Sequence, residues 1–170
     1  MIGELLSGTV LRLDAIWRPA VRKHLLALGP DDRYGRFASP LPDVAIVAYA
    51  DSIDFVHDLC FAIVEPDGQL SGFLHLAVHS QVAELGASVL PGQRHQGRAS
   101  CLFKTALASA ADQGIREIHL ATGHPVARHI CAGLGYRMRE GAGYPRVRVA
   151  LAQRVGATTG CAATVGAAER

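Results

Sequence analysis

The sequence predicts a mixed α/β (α+β) fold in one domain, and three observations carry that prediction. Segments with two-residue alternation mark strands near the start, in the middle and near the end of the chain. Three consecutive strands are separated by short turns, which implies antiparallel hairpins. The third is followed by a long amphipathic helix and another strand, which implies a parallel crossover. The length of 170 residues, 49% hydrophobic and 19% charged, fits one globular domain with a sizeable core.

Thr9 to Asp14 alternates apolar and polar residues and reads as the first strand. Ala15 to Leu28 reads as a helix, with Ile16, Ala20, Leu25 and Leu28 near helical spacing and Gly29-Pro30 as its stop. Asp31 to Phe37 reads as a polar connection, and Ser39-Pro-Leu-Pro42 as further punctuation. Asp43 is placed to cap a second helix running to about Ile53. The apolar run Leu59–Val64 then closes at the turn Glu65-Pro-Asp-Gly68. Gly72–His79 and Val82–Leu90 are two more strands, joined through Ser80-Gln81.

Ala99–Gln113 carries one apolar stripe, Ala99, Leu102, Phe103, Ala106 and Ala110, and Gly114 ends it. Ile115–Ala121 follows as a strand. Pro125 opens a last helix that Gly133 and Gly135 stop. Tyr136–Arg139 and Arg146–Leu151 are closing strands. The domain is therefore expected over 1–152, with 153–170, rich in Ala, Gly and Thr, as a flexible C-terminal tail.

The formal net charge is +2, and only Lys23 and Lys104 among the 17 basic residues are lysines. The arginines are dispersed, which argues against nucleic acid or a membrane surface as partner. Cys60, Cys101, Cys131 and Cys161 form no CxxC pair, so a zinc site or disulfide framework is not expected and a reducing compartment is. Met1–Leu6 lacks the basic start and apolar stretch of a signal peptide, and no apolar run is long enough for a membrane helix. The expected setting is the cytoplasm.

The chemistry concentrates in Ser88-Val-Leu-Pro-Gly-Gln-Arg-His-Gln-Gly-Arg-Ala-Ser100, where a strand ends and a helix begins at about Gly97. Unpaired backbone N–H groups and the positive end of the helix dipole suit a phosphate there. Gly97 permits close backbone approach, Ala99 keeps the neighbouring position small, and Arg94 and Arg98 add positive charge. No GxxxxGK[ST] or GxGxxG pattern is present, so neither an NTPase nor a dinucleotide site is indicated.

Arg94-His-Gln-Gly-Arg-Ala99 resembles the Arg/Gln-x-x-Gly-x-Gly/Ala signature of the GNAT superfamily of acyl-CoA-dependent N-acyltransferases. Ala83–Pro91 resembles that family's fourth strand, Ala99–Gln113 its third helix, and His124 through Leu-Gly-Tyr136 its closing helix. The likeness runs over roughly 9–151 by element order and is most specific over 83–136. It implies a central, mostly antiparallel sheet with one splayed parallel strand pair and flanking helices. It implies acetyl-CoA as co-substrate and no metal. The pyrophosphate would bind main-chain amides of Arg94, His95, Gln96, Gly97, Arg98 and Ala99, and the pantetheine arm would pair with the strand edge near Val89. His124 stands where many members carry an asparagine that contacts pantetheine.

The resemblance also implies a carboxylate on the fourth strand as general base, and Glu84 matches that place. The alternation supports it independently: Val82, Glu84, Gly86 and Ser88 share one face, and Gly86 leaves room beside the carboxylate. With a two-residue turn at Ser80-Gln81, His79 opposes Val82, Ala77 opposes Glu84 and His75 opposes Gly86. His75 and His79 then lie on the Glu84 face, where a histidine could orient the carboxylate or relay a proton. His119, on the strand beyond the crossover, is a further candidate base or substrate contact. Cys131 stands where many members carry a tyrosine acid, and its thiol is a poorer donor, so the general acid is unassigned.

The acceptor region is expected around Asp31, Asp32, Arg33, Tyr34, Arg36 and Phe37. Tyr34 and Arg36 are the candidate substrate contacts; the aspartates could attract an amine, the arginines could hold a carboxylate, or the segment is a solvated turn. Taken together, the expected function is transfer of acetyl from acetyl-CoA to a primary amine of a small molecule or peptide. A non-catalytic acyl-CoA sensor is the alternative. Dimers are common in the family, so a homodimer is a further expectation, with no interface marked in the sequence.

Overall fold

The computed structural model describes residues 9–152. The tail expected over 153–170 lies outside them, as do residues 1–8. Elements run β1 (Val10–Arg12), a 3-10 turn (Ala15–Trp17), α1 (Arg18–Leu26), α2 (Pro30–Phe37), α3 (Asp43–Ser52), β2 (Leu59–Val64), β3 (Leu70–His79) and β4 (Val82–Val89). A second 3-10 turn (Pro91–Gln93), α4 (Arg98–Asp112), β5 (Glu117–Leu120), α5 (Pro125–Gly133), β6 (Arg137–Glu140) and β7 (Val147–Ala150) complete it.

The strands form one sheet in the order β1-β2-β3-β4-β5-β7-β6. Every neighbouring pair is antiparallel except β4–β5, which is parallel. The predicted crossover is α4, and the right of β5 is filled by β7, so the closing hairpin folds back with its second strand inside. The turn at Ser80-Gln81 has two residues, and the register is His79↔Val82, Ala77↔Glu84 and His75↔Gly86. Ser80 takes φ +60, which a two-residue hairpin demands.

Helices cover one face of the sheet and, over β1–β3, the other. On one side Leu59, Phe61, Ile63, Leu74, Leu76 and Leu85 pack against Leu102, Phe103, Ala106, Leu107 and Ala110 of α4 and Ile130 of α5. On the other side Cys60, Ala62, Val64 and Phe73 pack against Val21 and Leu25 of α1 and Ile46 and Ala50 of α3. All six residues of β2 are consequently buried, which is why its sequence is an unbroken apolar run. Gly72 lets α4 come close: a Cβ there would lie 2.9 Å from Leu102 Cδ1.

Three local expectations are corrected. The helix expected from Ala15 starts as a 3-10 turn capped by the Asp14 carboxylate, which accepts from Ile16 N–H at 3.0 Å; Ile16 is 80% exposed and lies outside the apolar stripe. The N-cap of α3 is Pro42, with Asp43 already in the first turn. Most consequentially, the polar connection Asp31–Phe37 is part of α2. Pro30 occupies its first turn, Asp31 and Asp32 sit at its positive end, and Arg36 in its last turn. Ala38 ends it at φ +56.

α2 is held by Arg33, with Phe37 at its end packed on Tyr49 at 5.0 Å between ring centroids. The Arg33 guanidinium donates to the carbonyls of Leu28 (2.9 Å), Leu41 (2.8 Å) and Leu26 (3.0 Å), and pairs with Asp43 at 2.8 Å. One side chain thus satisfies orphan carbonyls at the end of α1 while tying α2 to α3.

Candidate active site

The parallel pairing of β4 with β5 runs from Val82↔Glu117 to Leu85↔Leu120 and stops there. Beyond that point the strands part, so the edge of β4 from Gly86 to Val89 has β3 on one side and a slot on the other. The slot belongs to a cavity of about 430 Å³. Its walls are β4 (Leu85–Val89), the loop and helix start from Gln93 to Phe103, the end of β5 (Leu120–Thr122), α5, and α2 through Asp31, Asp32, Gly35 and Arg36.

Of the loop residues singled out in the sequence, Arg94, His95, Gly97, Arg98 and Ala99 line this cavity together with Val89. Gly97 is the N-cap of α4 at φ +74, and a Cβ there would meet nothing within 4 Å. The glycine is therefore a backbone requirement, and the space beside it is open. Cys101 N–H closes on Gly97 O at 3.0 Å, so the preceding N–H groups point outward from the helix start. Backbone donors, small side chains and an adjoining slot fit the pyrophosphate and arm of acetyl-CoA.

The arginines flanking these donors are differently engaged. Arg94 Nε donates to Val89 O at 3.0 Å and Nη2 pairs with Asp32 at 2.6 Å, so it bridges β4 and α2. Arg98 pairs with Glu65, donates to Ser71 Oγ at 2.7 Å and to Gln96 Oε1 at 3.2 Å. It anchors the start of α4 to the β2–β3 turn. The predicted extra phosphate charge there is already paired.

His124 caps α5, its Nδ1 accepting from Val126 N–H at 3.3 Å. Its ring lies against α2: a Cβ on Gly35 would be 3.2 Å from His124 Cδ2, and Thr122 Oγ1 donates to Gly35 O at 3.0 Å. Gly35 is thus what allows α2 to close this side of the cavity.

Glu84 is exposed on the sheet face that also carries Gly86 and Ser88, and Tyr144 Oη donates to its Oε2. Desolvation, then the facing carboxylate, push the Tyr144 hydroxyl up to about 12, so it remains a donor. Tyr144 comes from the β6–β7 loop and was invisible in the sequence because no periodic pattern covers that loop. His119 is opposite Glu84 in the parallel register, and its Nε2 meets Glu117 Oε1 at 2.7 Å. His79 is exposed at the strand end.

His75 shares the Glu84 face but bonds elsewhere, correcting the expectation that it orients that carboxylate. Its Nε2 is 2.9 Å from Asp58 Oδ2 and its Nδ1 is 2.6 Å from Tyr49 Oη. Asp58 also accepts from Val78 N–H at 3.0 Å. A carboxylate can only accept, so Nε2 carries the proton and Nδ1 accepts from Tyr49. Burial lowers the His75 pKa against the opposing pull of Asp58, keeping the ring neutral. Burial raises the Tyr49 hydroxyl, with the Arg36 guanidinium beside it acting the other way. Tyr49 falls at helical spacing with Ile46 and Ala50, a signal that would have placed it against the sheet.

The remaining predictions divide between α2's two faces. Tyr34 is 59% exposed and does not line the cavity, whereas Arg36 is only 6% exposed and does. Gly86 leaves room, as expected, but the Arg36 guanidinium occupies it: a Cβ on Gly86 would be 3.3 Å from Arg36 Cζ. Cys131 is fully buried on α5, and burial pushes its thiol up to about 11.

Residues 29–136 match the model of the acetyltransferase (GNAT) family, and the chain belongs to that family. Solved structures share the fold. The GNAT domain of S. lividans PAT is 17% identical with a TM-score of 0.65, covering 83% of this chain and 88% of that one. Spermidine N-acetyltransferase from Vibrio cholerae in complex with CoA and spermine is 18% identical with a TM-score of 0.61, covering 85% and 96%. A phosphinothricin acetyltransferase from Sinorhizobium meliloti in complex with AcCoA is 13% identical with a TM-score of 0.60, covering 83% and 85%. Comparison with the curated proteins gives no match. No helix among the described residues is long and apolar enough to cross a membrane.

Proposed function

We propose that this protein transfers an acetyl group from acetyl-CoA to a primary amine of a small molecule or peptide, by direct attack of the amine. The observation that carries the reading is continuity: the donor-rich start of α4 and the slot where β4 leaves β5 are walls of one cavity. Solved relatives in fold that contain CoA or AcCoA support the same co-substrate. The free thiols of Cys60, Cys101 and Cys131 fit a reducing, cytoplasmic setting.

When bound, acetyl-CoA supplies an acetyl group already activated as a thioester. The chain contributes holding and proton handling. Main-chain N–H groups from His95 to Ala99 hold the pyrophosphate, the Arg94 N–H being turned to Pro91 O at 3.4 Å, and a main-chain amide near Val89 polarises the carbonyl. The carboxylate of Glu84 takes the proton that the amine releases, and its exposure lets that proton pass to solvent. Tyr144 Oη fixes the carboxylate by donating to Oε2.

Thermal unfolding with and without acetyl-CoA tests this. Ligand at 100 times its Kd adds about 2.7 kcal/mol to a protein that binds it only when folded. The shift is expected with acetyl-CoA and CoA, and is expected to vanish in Gly97→Glu, which places a side chain and a negative charge at a position with φ +74. No shift with either compound would overturn the reading.

A further inference from the structure

Of the three arginines lining the cavity, Arg94 pairs with Asp32 and Arg98 with Glu65, and Arg36 alone has no salt-bridge partner among the described residues. It is 6% exposed, and no carboxylate lies within salt-bridge distance of it. Of its donors only Nη1 is engaged, at 3.4 Å to Phe73 O and 3.4 Å to Ser88 Oγ; buried Nε and Nη2 have no partner. Aromatic rings surround it, with Phe73 5.1 Å and Tyr49 6.0 Å from Cζ. A guanidinium stays charged in any such place, and desolvating it without an anion is strongly unfavourable.

The surroundings hold this group in place. Gly86 makes room for it, and Ser88 Oγ is fixed from behind by His24 Nε2 at 2.9 Å. A guanidinium binds a planar carboxylate with two parallel bonds, and Arg36 is the buried, unpaired guanidinium in the wall of the cavity. Arg36 also lies away from the pyrophosphate donors, on the sheet face that carries Glu84. Gly86, under the guanidinium, is two residues from Glu84, about 7 Å along a strand.

We propose that Arg36 is the receptor for a carboxylate on the acceptor, so that the substrates are small amines carrying a carboxylate close to the amino group, the amino-acid class. The carboxylate pairs with the Arg36 guanidinium while the amine lies toward Glu84. This rests on the acetyl-transfer reading, and the test separates the two.

Release of CoA thiol is followed with saturating acetyl-CoA and amines in matched pairs, each an amino acid against the amine in which hydrogen replaces its carboxylate. The carboxylate-bearing member is expected to be favoured by at least ~100-fold in kcat/KM, chiefly through KM, because the site would otherwise leave a buried charge unpaired. Arg36→Met is expected to bring the ratio near unity. A ratio near unity in the natural protein, or an equal loss on both members in Arg36→Met, overturns the assignment. Should Arg36→Met not fold, Gly86→Ala keeps the charge but crowds Cζ, and is expected to cut the ratio. A second arm needs no turnover: amino acids without any CoA should raise the unfolding temperature, their decarboxylated partners should not, and Arg36→Met should abolish the difference. Absence of that stabilisation in the natural protein overturns the carboxylate receptor, whereas failure of acetyl-CoA to stabilise overturns the acetyl-transfer reading.

Discussion

Glu84 illustrates how a single position combines strand geometry with chemistry. Alternation alone puts it on the face of Gly86 and Ser88, and the two-residue turn sets Ala77 across from it. What the strand pattern could not supply is its partner, because Tyr144 arrives from a loop 60 residues away. On the proposed role of Glu84 as proton acceptor, Glu84→Gln is expected to lower kcat by about 10²–10³-fold while leaving stabilisation by acetyl-CoA intact. Single-turnover rates with the best acceptor, alongside thermal unfolding, check this; an unchanged rate would remove Glu84 from the chemistry. Arg36 was a candidate substrate contact in the sequence together with Tyr34, and only the helix that carries both separates them, burying Arg36 and exposing Tyr34.

At the scale of elements, α2 is the informative case. Its composition, four charged residues and a glycine between Pro30 and Phe37, reads as a connection because hydrophobic periodicity is the main helix signal and this helix has little. Its ends nevertheless obey helix rules, with proline and aspartates at the start and arginine near the finish. Polar anchoring through Arg33 supplements the apolar contact of Phe37. Arg33→Ala leaves three part-buried carbonyls without their donor and is expected to cost ~2–3 kcal/mol in urea unfolding with the m-value unchanged. Arg22→Ala, which breaks only an exposed pair with Asp51, is expected within ~0.5 kcal/mol of the natural protein. If the two variants lose equal stability, Arg33 is not what holds α2.

Across the described residues the sheet is covered by α4 and α5 on one face and, over β1–β3, by α1 and α3 on the other, with polar groups buried where cavity and core meet. His24 is the clearest of these. Burial lowers its pKa to about 4, against the opposing bond from Nδ1–H to Leu70 O. The unfolded chain therefore binds a proton at His24 between pH 6.5 and about 4 that the folded protein does not. Stability from this group is full above pH 6.5 and is lost as pH falls, by about 3 kcal/mol at pH 4. His75, also lowered by burial, adds in the same direction. His57, raised chiefly by its hydrogen bond with Asp54, acts in the opposite sense but is exposed. Urea midpoints from pH 7 to 4 are expected to fall, with a shallower slope in His24→Gln; an unaltered slope would assign the acid sensitivity elsewhere.

What the sequence determined by itself was whatever short-range periodicity and turn chemistry encode. The α4 stripe of Leu102, Phe103, Ala106 and Ala110 was legible because 3.6-residue spacing alone selects one face. The β3–β4 register was legible because a two-residue turn leaves one pairing. The crossover between β4 and β5 was legible because parallel neighbours need a long connection. Tertiary structure alone decided which polar groups met. Asp58, His75 and Tyr49 converge from β3, α3 and the approach to β2, and Arg36 reaches Gly86 only because Gly35 and Arg33 let α2 lie where it does. Such contacts join residues far apart in the chain, and their energies depend on burial and direction, which no local pattern carries.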